Sequence, residues 1–413
     1  QSAIVTTINR INGIFEQELS LKFRLVDNTN IVYTNPLTDP YTNGVSTFLL
    51  RENQTQLDKV IGSQNYDIGH VLGATSGGDG LAARGVVCNS ETKAYGTTSA
   101  FGQLTSDAFV VDFVAHELGH QLGATHTFNS NDTGSCQGEN RTAAAAYEPG
   151  SGSTIMSYAG ICGSNDFQKN VDPQLHPASI EQIREVTHNG PAASCATITR
   201  LNNQLPVADA GADYTIPART PFILNGSASD GNGDRLRYSW DQMDAGNASA
   251  LGVDTANNAL IKSSVLSTSP VRNVPNIKEL LSQSQKTSHG ESLPRSNRPL
   301  NFRLTVRDGK GGVSFDDTRL TVKDTGERFE ILLPGSNVAT GSHVITWKVA
   351  GTDQPPINCS QVDIAYTNDQ GETFTELLSK TPNDGSATLV TLVTLIAPII
   401  LIMMAVAAPC LLA

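Results

Sequence analysis

Residues His116-Glu117-Leu118-Gly119-His120-Gln121-Leu122-Gly123-Ala124-Thr125-His126 put three imidazoles, a carboxylate and a turn-forming glycine into one short stretch. Histidines four apart lie on one face of a helix, one turn apart. Two imidazole nitrogens so spaced can reach a single Zn²⁺ at about 2.0–2.1 Å. Gly123 lets the chain leave the helix through positive φ at no steric cost, and such a turn can return His126 as a third ligand. Three neutral nitrogens leave a fourth position for water, which is the arrangement of a catalytic zinc site rather than a structural one. Glu117, beside the first histidine, is placed to act as general base on that water. Downstream, Ser153-Thr154-Ile155-Met156-Ser157-Tyr158 sets a methionine in a tight polar turn after a Gly/Ser-rich approach.

The pattern H-E-x-x-H-x-x-G-x-x-H followed by a downstream Met resembles the metzincin clan of zinc endopeptidases. The resemblance implies His116, His120 and His126 as ligands, Glu117 as base, and Met156 as a hydrophobic floor beneath the imidazoles. Tyr158, two after the Met, resembles the tyrosine that in astacins and serralysins approaches zinc and steadies the oxyanion; a buried tyrosine packing the turn is the competing reading. Gly80-Leu81-Ala82-Ala83-Arg84-Gly85-Val86-Val87-Cys88 looks like the edge-strand segment of reprolysins, where the substrate backbone pairs antiparallel with the strand. This makes Gly80, Leu81 and Ala82 the expected substrate-binding residues. The resemblance is to bacterial reprolysin-like peptidases, over roughly residues 2–196. One departure stands out: reprolysins carry Asp after the third His, and here that position is Thr127. The Met-Ser-Tyr turn leans toward serralysins, but the Gly-rich, Asp-bearing calcium repeats of that group are missing. The implied protein is a secreted, monomeric zinc endopeptidase acting on proteins or peptides with one catalytic ion. The rival is a zinc-containing adhesion or binding protein with a decayed active site, acting through its later modules; the intact Glu117 argues against it.

These residues need a framework. The chain has 413 residues, which at about 150 per domain suggests three domains. A formal net charge of −12 with only 16 % charged residues argues against nucleic-acid binding, which needs clustered cations. Six cysteines, without C-x-x-C spacing around the histidines, point to disulfides and an extracellular setting. The reprolysin resemblance implies Cys88–Cys195, and proximity suggests Cys136–Cys162. Cys359 and Cys410 remain outside that pairing.

Residues 1–196 read as an α/β catalytic domain with a mixed twisted sheet. Val5 to Phe15 has helical spacing. In metzincins a strand precedes the first long helix, so the chain reads as having lost that strand. Leu21 to Val26 alternates like a strand, residues 46–62 read as a helix, and Tyr66 to Leu72 as a further strand. The zinc helix is expected from Asp107, as N-cap, to Leu122, with Val110, Val111, Val114 and Leu118 as its buried stripe. His70, His176 and His188 are surplus to the zinc set and read as structural or solvated. A last helix opens near Ser179.

After a linker, residues 204–325 resemble an immunoglobulin-like sandwich of PKD type, with a G-S-x-S-x-D turn before Tyr238-Ser239-Trp240. Within it, 244–298 is polar and aperiodic and reads as a long loop or partly disordered insertion. Asp230-Gly231-Asn232-Gly233-Asp234 looks superficially like a Ca²⁺ loop, but it lacks the Gly and terminal Glu an EF-hand needs, so a solvated turn is the better reading. Residues 327–388 alternate as a second, truncated immunoglobulin- or fibronectin-like sandwich. The 389–413 tail is apolar and uncharged. It is long enough for a membrane span of about 20 residues, yet lacks flanking cations and reads equally as a sequence artefact. Membrane contact is expected only if the tail is a genuine anchor.

Overall fold

The computed structural model describes the chain apart from residues 36, 74–78, 100–104, 282–289, 333–340, 370–372, 392–399, 406–410 and 413, and apart from the side chains of 279, 281, 391, 400–405, 411 and 412. Helix α1 (Ser2–Leu19) buries Ile11, Ile14, Phe15 and Leu19 along one face. The strand expected at Leu21–Val26 does not form. Asn12, buried on α1, donates from Nδ2 to Phe23 O at 2.9 Å and accepts Phe23 N–H on Oδ1 at 2.8 Å. One side-chain amide thus satisfies the backbone pair that a neighbouring strand would have taken, so the segment stays outside any described sheet.

Helix α2 (Ser46–Val60) precedes three short strands, β1 (Val71–Gly73), β2 (Asp79–Ala82) and β3 (Gly96–Ser99). They form a mixed sheet in the order β1-β3-β2, with β1 parallel and β2 antiparallel to β3. The strand expected from Tyr66 begins only at Val71. Ahead of it, His70 is pinned between Gln121 Oε1 and Thr98 Oγ1, both at 2.8 Å, which gives it a structural role.

Helix α3 is wound as a π-helix over Ala108–Ala115 and as an α-helix over His116–Gln121. Val110, Val111, Val114 and Leu118 are buried, as their spacing predicts. Its start differs from expectation. Asp107 is already helical at φ −60° and makes no cap hydrogen bond. Its carboxylate pairs instead with Arg10 at 2.7 Å, a charge-assisted bond that outbids a backbone N–H. Ser106 Oγ accepts from Phe109 N at 3.2 Å in its place. Helix α4 (Pro177–Arg184) places Pro177 in its first turn, where a missing N–H costs nothing. His176 caps it, Nδ1 accepting from Ala178 N at 3.2 Å. Helices α1, α3 and α4 share one core with Ile155, Met156 and Leu175.

The remaining described chain is mostly strands. The first group comprises β4 (Val207–Asp209), β5 (Tyr214–Pro217), β6 (Phe222–Asn225), β7 (Ser227–Ser229), β8 (Arg237–Gln242), β9 (Val271–Val274), β10 (Arg298–Arg307) and β11 (Val313–Lys323). A sheet ordered β5-β11-β10-β8 faces the ladders β4-β7 and β6-β9 across a core centred on Trp240, Phe222 and Phe302. The described part of the 244–298 insertion is more ordered than its composition suggests. It supplies β9 as the partner of β6. Two buried ion pairs anchor it: Arg298–Asp254 at 2.9 Å and Arg272–Glu291 at 2.6 Å. Polar residues carry this order, so hydrophobic periodicity does not reveal it. In the Asp230 loop, Oδ1 accepts the N–H groups of Asn232 and Asp234 at 2.8 and 3.0 Å, closing its own turn. The carboxylates of Asp230, Asp234 and Asp308 come within 4.8 Å of one another. Asp308 is committed to Lys310 N, Gly312 N and Asn203 Nδ2.

The second group comprises β12 (Glu330–Leu332), β13 (Gly341–Lys348), β14 (Gln361–Thr367), β15 (Thr375–Pro382), β16 (Ser386–Thr391), β17 (Ile400–Ala405) and β18 (Leu411–Leu412). Its sheets, β12-β13-β16 and β15-β14-β17-β18, enclose Phe329, Trp347 and Val362. The apolar tail therefore contributes strands here: β17 pairs antiparallel with β14 from Val362↔Ala405 to Thr367↔Ile400. Among the described residues no helix is long and apolar enough to cross a membrane. Cys359 is buried and makes no bridge among the described residues. Cys410 lies outside the described residues.

Candidate active site

Helix α3 presents His116 and His120 one turn apart, and the chain then reverses at Gly123. There φ is +111°, and a Cβ would stand 2.5 Å from Val186 Cγ2, so glycine is required by both backbone and packing. The reversal returns His126 to the other two. His126 Nε2 lies 3.0 Å from His120 Nε2 and 3.2 Å from His116 Nε2. Each Nδ1 meets a backbone carbonyl: His116 with Ile155 O at 2.7 Å, His120 with Ala124 O at 2.9 Å, His126 with Asn140 O at 2.6 Å. A carbonyl only accepts, so each Nδ1 carries the proton and each Nε2 presents a bare lone pair.

Lone pairs converging with no proton to share are ligands around a cation. Tetrahedral bonds of about 2.0–2.1 Å put ligand nitrogens about 3.3–3.4 Å apart, close to what is seen. Burial, reinforced by neighbouring imidazoles, lowers His116 well below its usual pKa and His120 to about 3; burial also lowers His126. All three are neutral near pH 7, as metal ligands must be. The donor set fits zinc.

Glu117 is 6 % exposed and faces the edge strand β2. A Cβ on Gly80 would overlap Glu117 Oε1, so β2 can pass beneath the carboxylate only with glycine there. Burial first, and then the charge of Asp79, pushes the Glu117 carboxyl up to about 8. The backbone just beyond β2 is fastened to the helix: Gly85 N and Val86 N donate to His120 O and Gln121 O, both at 2.9 Å, satisfying carbonyls at the helix C-terminus. Strand β2 has β3 on one side and no described strand on the other.

Residues 1–187 match the family described as metallo-peptidase family M12B, reprolysin-like. The chain carries a reprolysin-like M12B metallopeptidase domain. No curated protein matches the chain. Solved structures with some likeness include the FN1–FN3 domains of chicken CNTN1, 10 % identical with a TM-score of 0.20 over 51 % of this chain and 63 % of that one. The tandem Ig repeats of Dlar are 9 % identical with a TM-score of 0.24, over 50 % of this chain and 93 % of theirs. The chain thus spans less than two thirds of the first of these, and the sandwich architecture rests on the strand pairing itself.

In the reprolysin-like domain, Met156 is fully buried, its Sδ set against Gly119 of the helix that carries His116 and His120, where a Cβ would collide. The Tyr158 ring lies 4.5 Å from His126 and 5.7 Å from His116, and stacks on Phe128 at 4.6 Å. It packs the turn and also faces the imidazoles. Burial pushes its phenol up to about 12, with Glu117 and Asp79 adding to the effect. Both cysteine pairs form, Cys88–Cys195 with Cα atoms 6.4 Å apart and Cys136–Cys162 at 5.1 Å.

Sequence reasoning missed Glu148. Its fully buried carboxylate accepts from Thr127 Oγ1 at 2.5 Å, Ser153 N at 2.8 Å, Ser153 Oγ at 3.0 Å, Thr154 N at 3.0 Å and Thr154 Oγ1 at 2.6 Å. It welds the residue after the third ligand to the approach of the Met-turn. Thr127 in place of Asp was the available signal, since a hydroxyl there needs a carboxylate from elsewhere. Glu148 is the lone charged residue between Ala143 and Tyr158. Asp79 was missed too; its Oδ2 accepts from Ser46 Oγ beside the site.

Proposed function

We propose that this domain is a secreted zinc endopeptidase that hydrolyses peptide bonds within protein substrates. The convergence of three Nε2 lone pairs beside the buried Glu117 carries the reading. Zinc bound there supplies a Lewis acid that polarises a carbonyl and acidifies water. The chain's own groups do the rest. The free edge of β2 at Gly80, Leu81 and Ala82 offers backbone N–H and C=O groups for antiparallel pairing with an extended peptide. That pairing lays the scissile bond over Glu117, since Gly80 and the carboxylate are in contact. Kept ionised beside a bound cation against the upward push of burial, Glu117 takes the proton from the attacking water on a carboxylate oxygen and passes it to the leaving amine. The Tyr158 hydroxyl, protonated throughout the neutral range, donates toward the developing negative oxygen. The disulfides agree with an extracellular setting.

The experiment is casein hydrolysis by the full chain and by Glu117→Ala, each with its zinc content measured. Wild type should cleave, lose activity to a chelator and regain it with Zn²⁺. Glu117→Ala should keep one zinc and lose cleavage by at least about 10²-fold, the lower range for a general base. Turnover by the variant within a few fold of wild type overturns the mechanism.

A further inference from the structure

Domains of one chain commonly meet through interfaces like those of transient complexes. Here the 244–298 insertion of the first sandwich reaches back to the metal site. The third imidazole is oriented by Asn140 O, and the next residue, Arg141, is gripped on both sides. Its Nε donates to Asn129 O at 3.0 Å and its Nη2 to Asn129 Oδ1 at 2.9 Å. The same Nη2 donates to Gly246 O, in the insertion, at 2.5 Å. Asn129 is fully buried, and its amide donates onward to Asn247 O at 3.2 Å and Ser249 Oγ at 3.0 Å.

Two further contacts fasten the same loop. Leu251 N donates to Asn165 Oδ1 at 2.8 Å. Gln174 donates from Nε2 to Ser264 O at 2.8 Å, while its carbonyl accepts Ile155 N at 3.0 Å, one residue before Met156. The insertion therefore bonds to Arg141, the residue after the carbonyl behind His126, and to Gln174, whose backbone carbonyl holds the turn behind His116. Its own rigidity comes from the buried Arg298–Asp254 pair, since Arg298 Nη2 also donates to Asn258 O at 2.6 Å. Asn258 in turn donates to Ser249 Oγ at 2.8 Å.

We infer that residues 246–251 of the sandwich are a working part of the metal site: they position the Asn140–Arg141 backbone and through it the third zinc ligand. This rests on the zinc reading above. A loose Asn140 carbonyl leaves His126 free to rotate and to change tautomer. Groups that orient metal-ligating imidazoles typically contribute about 10–100-fold to metal affinity. Ser249 is a positioning residue, with no contact to substrate or metal.

The test is zinc affinity by chelator competition on the full chain, with hydrogen exchange at the Leu251 amide reporting whether the loop has lifted. Ser249→Trp drives bulk between Asn129 and Asn258 without replacing any residue of the peptidase region. It should weaken zinc about tenfold or more and expose the Leu251 amide. Ser249→Ala removes one acceptor and should weaken zinc a few fold with the melting of the fold unchanged. If Ser249→Trp does not fold, Ser249→Ala and Arg141→Lys carry the measurement, both expected to lose affinity. Zinc binding within twofold of wild type in a folded variant whose loop has lifted overturns the inference. Wild type that binds no zinc overturns the underlying zinc reading instead.

Discussion

Glu18 and Arg307 are 289 residues apart in the chain, yet their side chains meet in a buried two-bond ion pair, Nε–Oε1 at 2.6 Å and Nη2–Oε2 at 2.7 Å. Glu18 belongs to the first helix of the peptidase region and Arg307 to the end of β10 in the sandwich. Both side chains are at most 3 % exposed. Arg307 also donates to Ser239 Oγ at 3.0 Å and Leu175 O at 3.3 Å, so the charge is satisfied from both modules. Arg307→Met leaves a buried carboxylate without its partner and should lower unfolding stability by roughly 3–5 kcal/mol. Adding Glu18→Gln should recover part of that loss. Denaturant titration of the single and double variants measures both, and a double variant as unstable as the sum of the singles contradicts the coupling.

Gly80 and Glu117 give the second prediction. In Gly80→Ala the new methyl has no room beside Oε1, so the carboxylate moves while the imidazoles stay. A displacement of about 1 Å in a reacting group costs about 10²-fold in rate. We expect kcat to fall by that order with zinc content unchanged, read from casein turnover and metal analysis. Loss of zinc in parallel with activity would point to a disturbed ligand set instead.

Glu148 gives the third. Glu148→Ala strands the hydroxyl and amide donors of Thr127, Ser153 and Thr154 in the interior and should cost roughly 3–5 kcal/mol. Glu148→Gln keeps one oxygen for the two backbone amides, and the hydroxyls can reverse to accept from its NH₂ group. It should cost much less. Thermal melts rank the two, and equal losses would show that charge rather than hydrogen bonding dominates.

Asp112, four residues before His116 on the same helix, gives a pH dependence of stability. Burial, with Asp107 nearby, pushes its carboxyl up to about 7 from 3.8, against the opposing bond from Val171 N–H. Between those values the folded chain holds a proton that the unfolded chain has released. Stability therefore falls as pH rises from about 4 to about 7 and then levels. Asp112→Asn should flatten that decline, so its denaturant midpoint at pH 7.5 should gain on wild type relative to pH 5. An unchanged difference between the two pH values would reject the assignment.

The zinc helix, its stripe and the reversal at Gly123 are legible in the sequence because each depends on local spacing or on a residue type with one strong use; Cys136–Cys162 follows from proximity, whereas Cys88–Cys195 comes only with the reprolysin resemblance. Strands such as β8, β10 and β14 are legible through alternation. Leu21–Val26 misleads because alternation reports a half-buried extended segment, and cannot report that Asn12 has already satisfied its backbone. The 244–298 insertion misleads because its order comes from Arg298, Asp254, Arg272 and Glu291, polar residues that composition counts toward disorder. Glu148 was invisible for a related reason: five donors from two separate segments, Thr127 and Ser153–Thr154, converge on it only after folding.

The Cys88–Cys195 bridge joins residues 107 apart in sequence, and every candidate ligand, the base and the Met-turn lie between them. The exposed stretch Gln137–Asn140 sits inside that ring and also inside the smaller one closed by Cys136–Cys162. A peptidase of the proposed kind meets copies of itself, and exposed loops are where nicks fall. One cut between Gln137 and Glu139 leaves both fragments doubly tethered, with Asn140 still joined to the anchored Arg141 behind His126. Such self-inflicted damage would be silent in solution and would surface only on a reducing gel.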